Sequence, residues 1–201
     1  MPRTLEVPAA GLVVLVGVAG SGKSTFARRH FRPTEVLSSD TLRGMVRDDE
    51  SDQGATADAF AVLHHIARRR LAAGLLTVVD ATNVLPRSRR RLVSLAGARD
   101  LPAVAVVLDL PEPLCLERTA ARTDRRVGTE VVRGQAAELR QGWDSLWHEG
   151  FAAVYVLRTP AEVDAVTVVR RPLPPRHGVP PRSRPSPPPA GGGAPTEGPG
   201  A

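Results

Sequence analysis

Apolar residues recur in two alternating rhythms over the first 157 positions. Five short runs, Leu12 to Val16, Glu35 to Ser38, Leu75 to Val79, Val104 to Leu108 and Ala153 to Leu157, are rich in valine and leucine. Between them lie longer stretches with helical spacing: Lys23 to His30, Ala55 to Ala73 ending at Gly74, Pro86 to Ala98, Pro113 to Thr123 and Thr129 to Trp147. A continuous apolar run is a strand buried on both faces, and strands separated by helices pair in parallel with helices above and below. The pattern predicts a doubly wound α/β fold, a five-stranded parallel sheet sandwiched by helices.

The rhythm stops near Arg171. Of the 19 prolines, 11 fall in residues 172–201, beside six of the 18 glycines. That segment cannot form a packed core and is expected to be a disordered tail with polyproline II tendency, either merely solvated or docking a protein partner. The expected organisation is an N-terminal extension over 1–10, a domain over 11–171 and the tail over 172–201. A domain of that length buries enough apolar surface to fold without disulfides or structural metal. The single cysteine, Cys115, excludes a disulfide framework and a cysteine-based zinc site. No apolar run approaches the ~20 residues of a membrane span, and Met1 to Ala10 lacks the regions of a signal peptide, so a cytoplasmic location is expected. The oligomeric state is left open.

The net charge of +6 conceals an asymmetry, for 26 of the 27 basic residues are arginine and one, Lys23, is lysine. A compact ammonium kept at one position suggests a site where a planar guanidinium will not serve. Lys23 lies in Gly17-Val18-Ala19-Gly20-Ser21-Gly22-Lys23-Ser24-Thr25, between the first strand and the first helix. This is the G-x-x-x-x-G-K-[ST] pattern in its proper setting. The glycines, Gly17, Gly20 and Gly22, let successive N–H groups turn inward on a phosphate, with Ser21 and Thr25 in the same cradle. The start of the helix adds its dipole. Lys23 would bridge the β- and γ-oxygens of ATP, and Ser24 would hold Mg²⁺. The fold is therefore expected to be that of a P-loop NTPase.

The second and third strands also end in chemistry. In an open parallel sheet the carboxyl ends of the strands face the ligand crevice. Asp40, in Ser39-Asp40-Thr41-Leu42-Arg43, can take the proton of an attacking hydroxyl, and Arg43 can hold a phosphate of the acceptor; the competing role for Asp40 is a helix cap. Asp80, closing the third strand, is a candidate for Mg²⁺ or its waters, and Asn83 a candidate substrate contact or cap.

After the fourth strand, Arg118, Arg122 and Arg125 fall on one face if the helix continues. Such a row can clamp a triphosphate, with Arg122 acting in catalysis, and makes residues 112–128 an expected lid. The runs Arg68 to Arg70 and Arg87 to Arg91 read instead as solvated helix faces. The adjacent His64 and His65 cannot form an i, i+4 metal pair, Trp143 and Trp147 read as packing, and seven aromatic residues in all argue against a stacking-based single-strand binder.

Taken together, Gly17 to Thr25, Ser39 to Arg43, Asp80 to Asn83 and the three lid arginines resemble the kinase module of bacterial polynucleotide kinase-phosphatase, over about Gly11 to Leu157. The resemblance implies that Asp40 is the general base for a 5′-hydroxyl, that Arg43 binds the adjacent acceptor phosphate and that the lid arginines contact the donor phosphates. The family's full-length enzyme continues into a metal-dependent phosphatase and a ligase-like module, whereas this sequence runs into the Pro/Gly tail and contains no D-x-H motif. The expectation is an ATP- and Mg²⁺-dependent kinase of nucleic-acid 5′-hydroxyl ends. A small molecule or nucleoside as acceptor, and an ATP-binding or ATPase module with a partner-docking tail, are the alternatives.

Overall fold

The fold follows from the alternation just described. A computed structural model describes residues 3–121 and 127–172. In chain order these form β1 (Thr4–Pro8), β2 (Leu12–Val16), α1 (Lys23–His30), β3 (Val36–Ser38), α2 (Ser39–Arg47), α3 (Thr56–Ala72), β4 (Thr77–Asp80), α4 (Pro86–Gly97), β5 (Ala103–Leu108), α5 (Glu112–Ala120), α6 (Thr129–Gln141), β6 (Ala153–Leu157), α7 (Pro160–Ala165) and β7 (Thr167–Arg171). Five strands pair in parallel in the order β3-β4-β2-β5-β6.

Strand β2, buried throughout, lies at the centre and sends alternate side chains to opposite faces. Leu12, Val14 and Val16 join Ala59, Leu63 and Ala67 of α3 and Leu92 and Ala96 of α4 on one side. Val13 and Leu15 meet Phe26 and Ala27 of α1, with Leu5 and Val7 of β1, on the other. The sheet is thus a middle layer between two apolar layers, as its unbroken valine and leucine runs require.

Three features depart from the sequence pattern. Within the expected N-terminal extension, Thr4–Pro8 forms a strand that pairs in parallel with β7, from Thr4 beside Thr167 to Pro8 beside Arg171. Helix α6 ends at Gln141 rather than running to Trp147; a 3₁₀ turn over Asp144–His148 follows, which packs Trp143 on the core but leaves Trp147 about half exposed. Arg89, expected on a solvated face, is fully buried. Its guanidinium donates to both carboxylate oxygens of Glu149, each at 2.7 Å, and to the carbonyls of Asn83, Val84 and Gly142.

Candidate active site

Register brings the functional residues to one edge. Asp80 lies beside Leu15 of β2 and Ser38 of β3, so β2, β3 and β4 deliver their carboxyl ends, and the loops after them, to the same place. The loop after β2 turns into α1 through Gly20 and Gly22, both left-handed at φ 81° and 93°. A side chain at Gly20 would also run into the Cys115 carbonyl, so two independent constraints demand glycine there. Gly17 N–H donates to Thr82 O at 2.9 Å, tying this loop to the segment after β4.

Lys23 is buried at the first position of α1, with Nζ donating to Val18 O at 2.8 Å and Ser21 Oγ at 3.4 Å. The ammonium is thereby held over the loop it would serve. Gln135 of α6 also anchors the loop, its Oε1 accepting the Ala19 N–H at 2.8 Å. No sequence motif marks this glutamine, which is one polar residue among several on its helix. Arg118 of α5 reaches the same loop: a methyl group added at Gly22 would stand 3.8 Å from its Nη1. Arg122 and Arg125 lie outside the described residues.

The acceptor side is built on α2. Ser38 Oγ accepts the Thr41 N–H at 3.3 Å, so the capping role belongs to Ser38 and not to Asp40. Asp40 Oδ1 instead accepts a charge-assisted bond from Arg43 Nη2, while Arg43 Nε donates to Glu50 O at 2.9 Å. Burial lowers the Arg43 pKa from its ordinary value, and Glu50 and Asp52 oppose the shift. The two side chains are spaced one helical turn apart and support each other.

All of this surrounds one cavity of about 660 Å³, lined by Gly20 to Thr25, Asp40, Arg43, Asp80, Arg118 and Gln135 among others. Its donor set suits a magnesium nucleotide. The backbone and dipole at the start of α1, Lys23 and Arg118 are groups for phosphate. Ser24 hydroxyl and Asp80 carboxylate, on the same cavity, are hard oxygen donors for Mg²⁺. Asn83 is elsewhere. Its Nδ2 donates to Leu15 O at 2.8 Å and Ala81 O at 3.3 Å, its φ is 48°, and it lines a second cavity beside the first.

Residues 12–146 match the family described as AAA domain. The chain is 27% identical over 168 residues to transcription factor bHLH140 of Arabidopsis thaliana, covering 81% of this chain and 18% of that one. In fold it is similar to a chain of the Pnkp1/Rnl/Hen1 RNA repair complex, at TM-score 0.60 and 22% identity, over 69% of this chain and 47% of that one. It is similar also to a putative kinase from Chloroflexus aurantiacus, at TM-score 0.54 and 16% identity, over 78% and 93%. The chain thus spans less than half the length of the first two. Among the described residues, no helix is long and apolar enough to cross a membrane.

Proposed function

The chain belongs to the AAA-domain family and has a kinase-like P-loop fold, and from that premise we propose that it transfers the γ-phosphate of ATP to the 5′-hydroxyl of a DNA or RNA end. The observation that carries this reading is that Asp40, paired with Arg43, opens onto the cavity that also holds Lys23. A base and an acceptor-phosphate cation so placed share their cavity with a donor-phosphate cradle.

In this reading Lys23 turns from Val18 O to the β- and γ-oxygens of ATP. Ser24 and Asp80 would hold Mg²⁺, directly or through water, and the ion would offset phosphate charge. Asp40 takes the proton of the hydroxyl as its oxygen bonds to the γ-phosphorus and the bond to the β-bridging oxygen breaks. Arg43 retains the acceptor's neighbouring phosphate. Arg118, with Arg122 and Arg125 from outside the described residues, stabilises the charge spread over the transferring group. The fold shared with a chain of an RNA repair complex agrees with a nucleic-acid end as acceptor.

The second reading keeps this chemistry and makes the acceptor a small molecule or nucleoside, which the modest cavity, shared with the donor nucleotide, favours. Competition for γ-labelled ATP between a 5′-hydroxyl oligonucleotide and a panel of sugars, nucleosides and other alcohols decides between them. Label in the oligonucleotide supports our reading, and label in a small alcohol replaces it. A purely nucleotide-binding role, with the segment over 172–201 docking a partner, would survive Asp40→Ala undiminished, since that change removes the base and leaves the donor cradle.

A further inference from the structure

Three buried polar atoms that have no hydrogen-bond partner among the described residues, Thr56 Oγ1, His64 Nδ1 and Asn83 Oδ1, belong to residues that line one cavity of about 500 Å³. Two of their residues are more than nine-tenths buried, His64 at 7% exposed and Asn83 at 3%. Buried groups are normally paired, because a lone one forfeits its hydration without return. Three in one cavity point to a ligand that supplies the partners.

The shape and chemistry of the cavity narrow the ligand. Its walls combine polar groups with apolar surface, the latter from Phe60, tilted at 43° to the His64 ring with the centroids 6.0 Å apart, and from Val84 and Leu92. Arg87 and Arg91, both exposed, bring two cations to its rim against the one carboxylate of Glu138. A nucleobase presents apolar faces and one polar edge, and its backbone carries the anionic group that the rim arginines suit. The hydrogen-bonding set also suits such an edge: the Asn83 oxygen accepts only, whereas the threonine hydroxyl and the imidazole can each donate or accept.

Position connects this cavity to the first. Thr56, Phe60, Thr82 and Gln135 line both, so whatever occupies the second adjoins the groove where Asp40 and Arg43 stand. We infer that the second cavity receives the nucleobase of the acceptor's 5′-terminal nucleotide, held through Thr56, His64 and Asn83. This rests on the 5′-hydroxyl kinase reading, and it deepens that reading by making the site recognise a nucleotide rather than a bare alcohol. Asn83 then belongs to acceptor recognition, on the base side and away from the phosphates.

The test is steady-state phosphorylation of two oligonucleotides identical except that one has an abasic 5′-terminal residue. The full chain, His64→Ala and Thr56→Val are compared. The expected result is a KM lower for the intact end by about tenfold, the order of one stacked base, at similar kcat. Each variant should narrow that ratio. Thr56→Val keeps the side-chain shape and removes a hydroxyl with no partner among the described residues, so its melting temperature should be retained and the narrowing cannot be ascribed to unfolding. Equal use of both ends by the unaltered chain, or an undiminished preference in both variants, overturns the inference and leaves the kinase reading standing. Transfer to neither end overturns both.

Discussion

Arg89 and Glu149 form an ion pair in which neither side chain is more than 2% exposed, and the guanidinium also bonds the carbonyls of Asn83, Val84 and Gly142. The pair joins α4 to the end of the turn after α6, and it clamps the segment that follows Asp80. Its place in the fold is therefore to hold the edge on which the cavity residues stand.

Removing one member leaves a charge buried without its partner, which costs about 3–5 kcal/mol. Arg89→Met and Glu149→Gln should both lower denaturant stability by several kcal/mol, and the double substitution should cost less than the two single losses added together. Equilibrium unfolding of the four proteins completes that cycle. Additive losses would mean that the two residues do not act as a pair.

Lys23→Ala removes the buried ammonium from the loop while leaving its glycines and Gln135 in place. Label transfer should fall by roughly 10²–10³, the loss typical of one charge-stabilising donor, with the fold retained. Asp40→Asn should cost about 10²–10⁴ in kcat, with ATP binding little altered, because the amide cannot accept the hydroxyl proton. Steady-state kinetics beside nucleotide titration separate the two effects.

Gly20→Ala meets both a left-handed backbone and the Cys115 carbonyl. The backbone alone costs about 1–2 kcal/mol, and relief of the overlap must shift the loop or α5. Nucleotide affinity should fall more sharply than the melting temperature, since the displaced segment is the phosphate cradle. Calorimetric titration with ATP and a thermal melt measure the two.

Mild acid should weaken the fold through two imidazoles. Burial, aided by Arg91 and Arg68, lowers the His64 pKa below the usual 6.5, and burial with Arg29 does the same for His30. The folded chain holds these rings neutral, so below pH 6.5 the unfolded chain binds more protons. The stability they contribute is fully present above that pH and is lost as the pH falls through their lowered values. Denaturant unfolding across that window should show the decline, and His30→Gln with His64→Gln should flatten it.

The central sheet, the glycine loop with Lys23 and the placement of Asp40 and Arg43 just after β3, at the ligand edge, were all legible, because each depends on neighbours within a few residues. Arg89 was not. An arginine within a basic run reads as solvated, and its burial depends on Glu149, a distant residue that nothing local announces. The pairing of β1 with β7 escaped for the same reason, since both strands are short and half polar, and what orders them is the opposite end of the domain. Asn83 was legible as a special residue but not in its direction. Its left-handed backbone and its bonds to Leu15 O and Ala81 O go with a place on the second cavity rather than the first.

The central claim is phosphoryl transfer to a 5′-hydroxyl end. The purified chain should be incubated with γ-labelled ATP, Mg²⁺ and two matched oligonucleotides, one ending in 5′-hydroxyl and one in 5′-phosphate. Label on the hydroxyl form alone, abolished by Asp40→Asn, is the expected result. Label on neither, with ATP bound, would contradict the account.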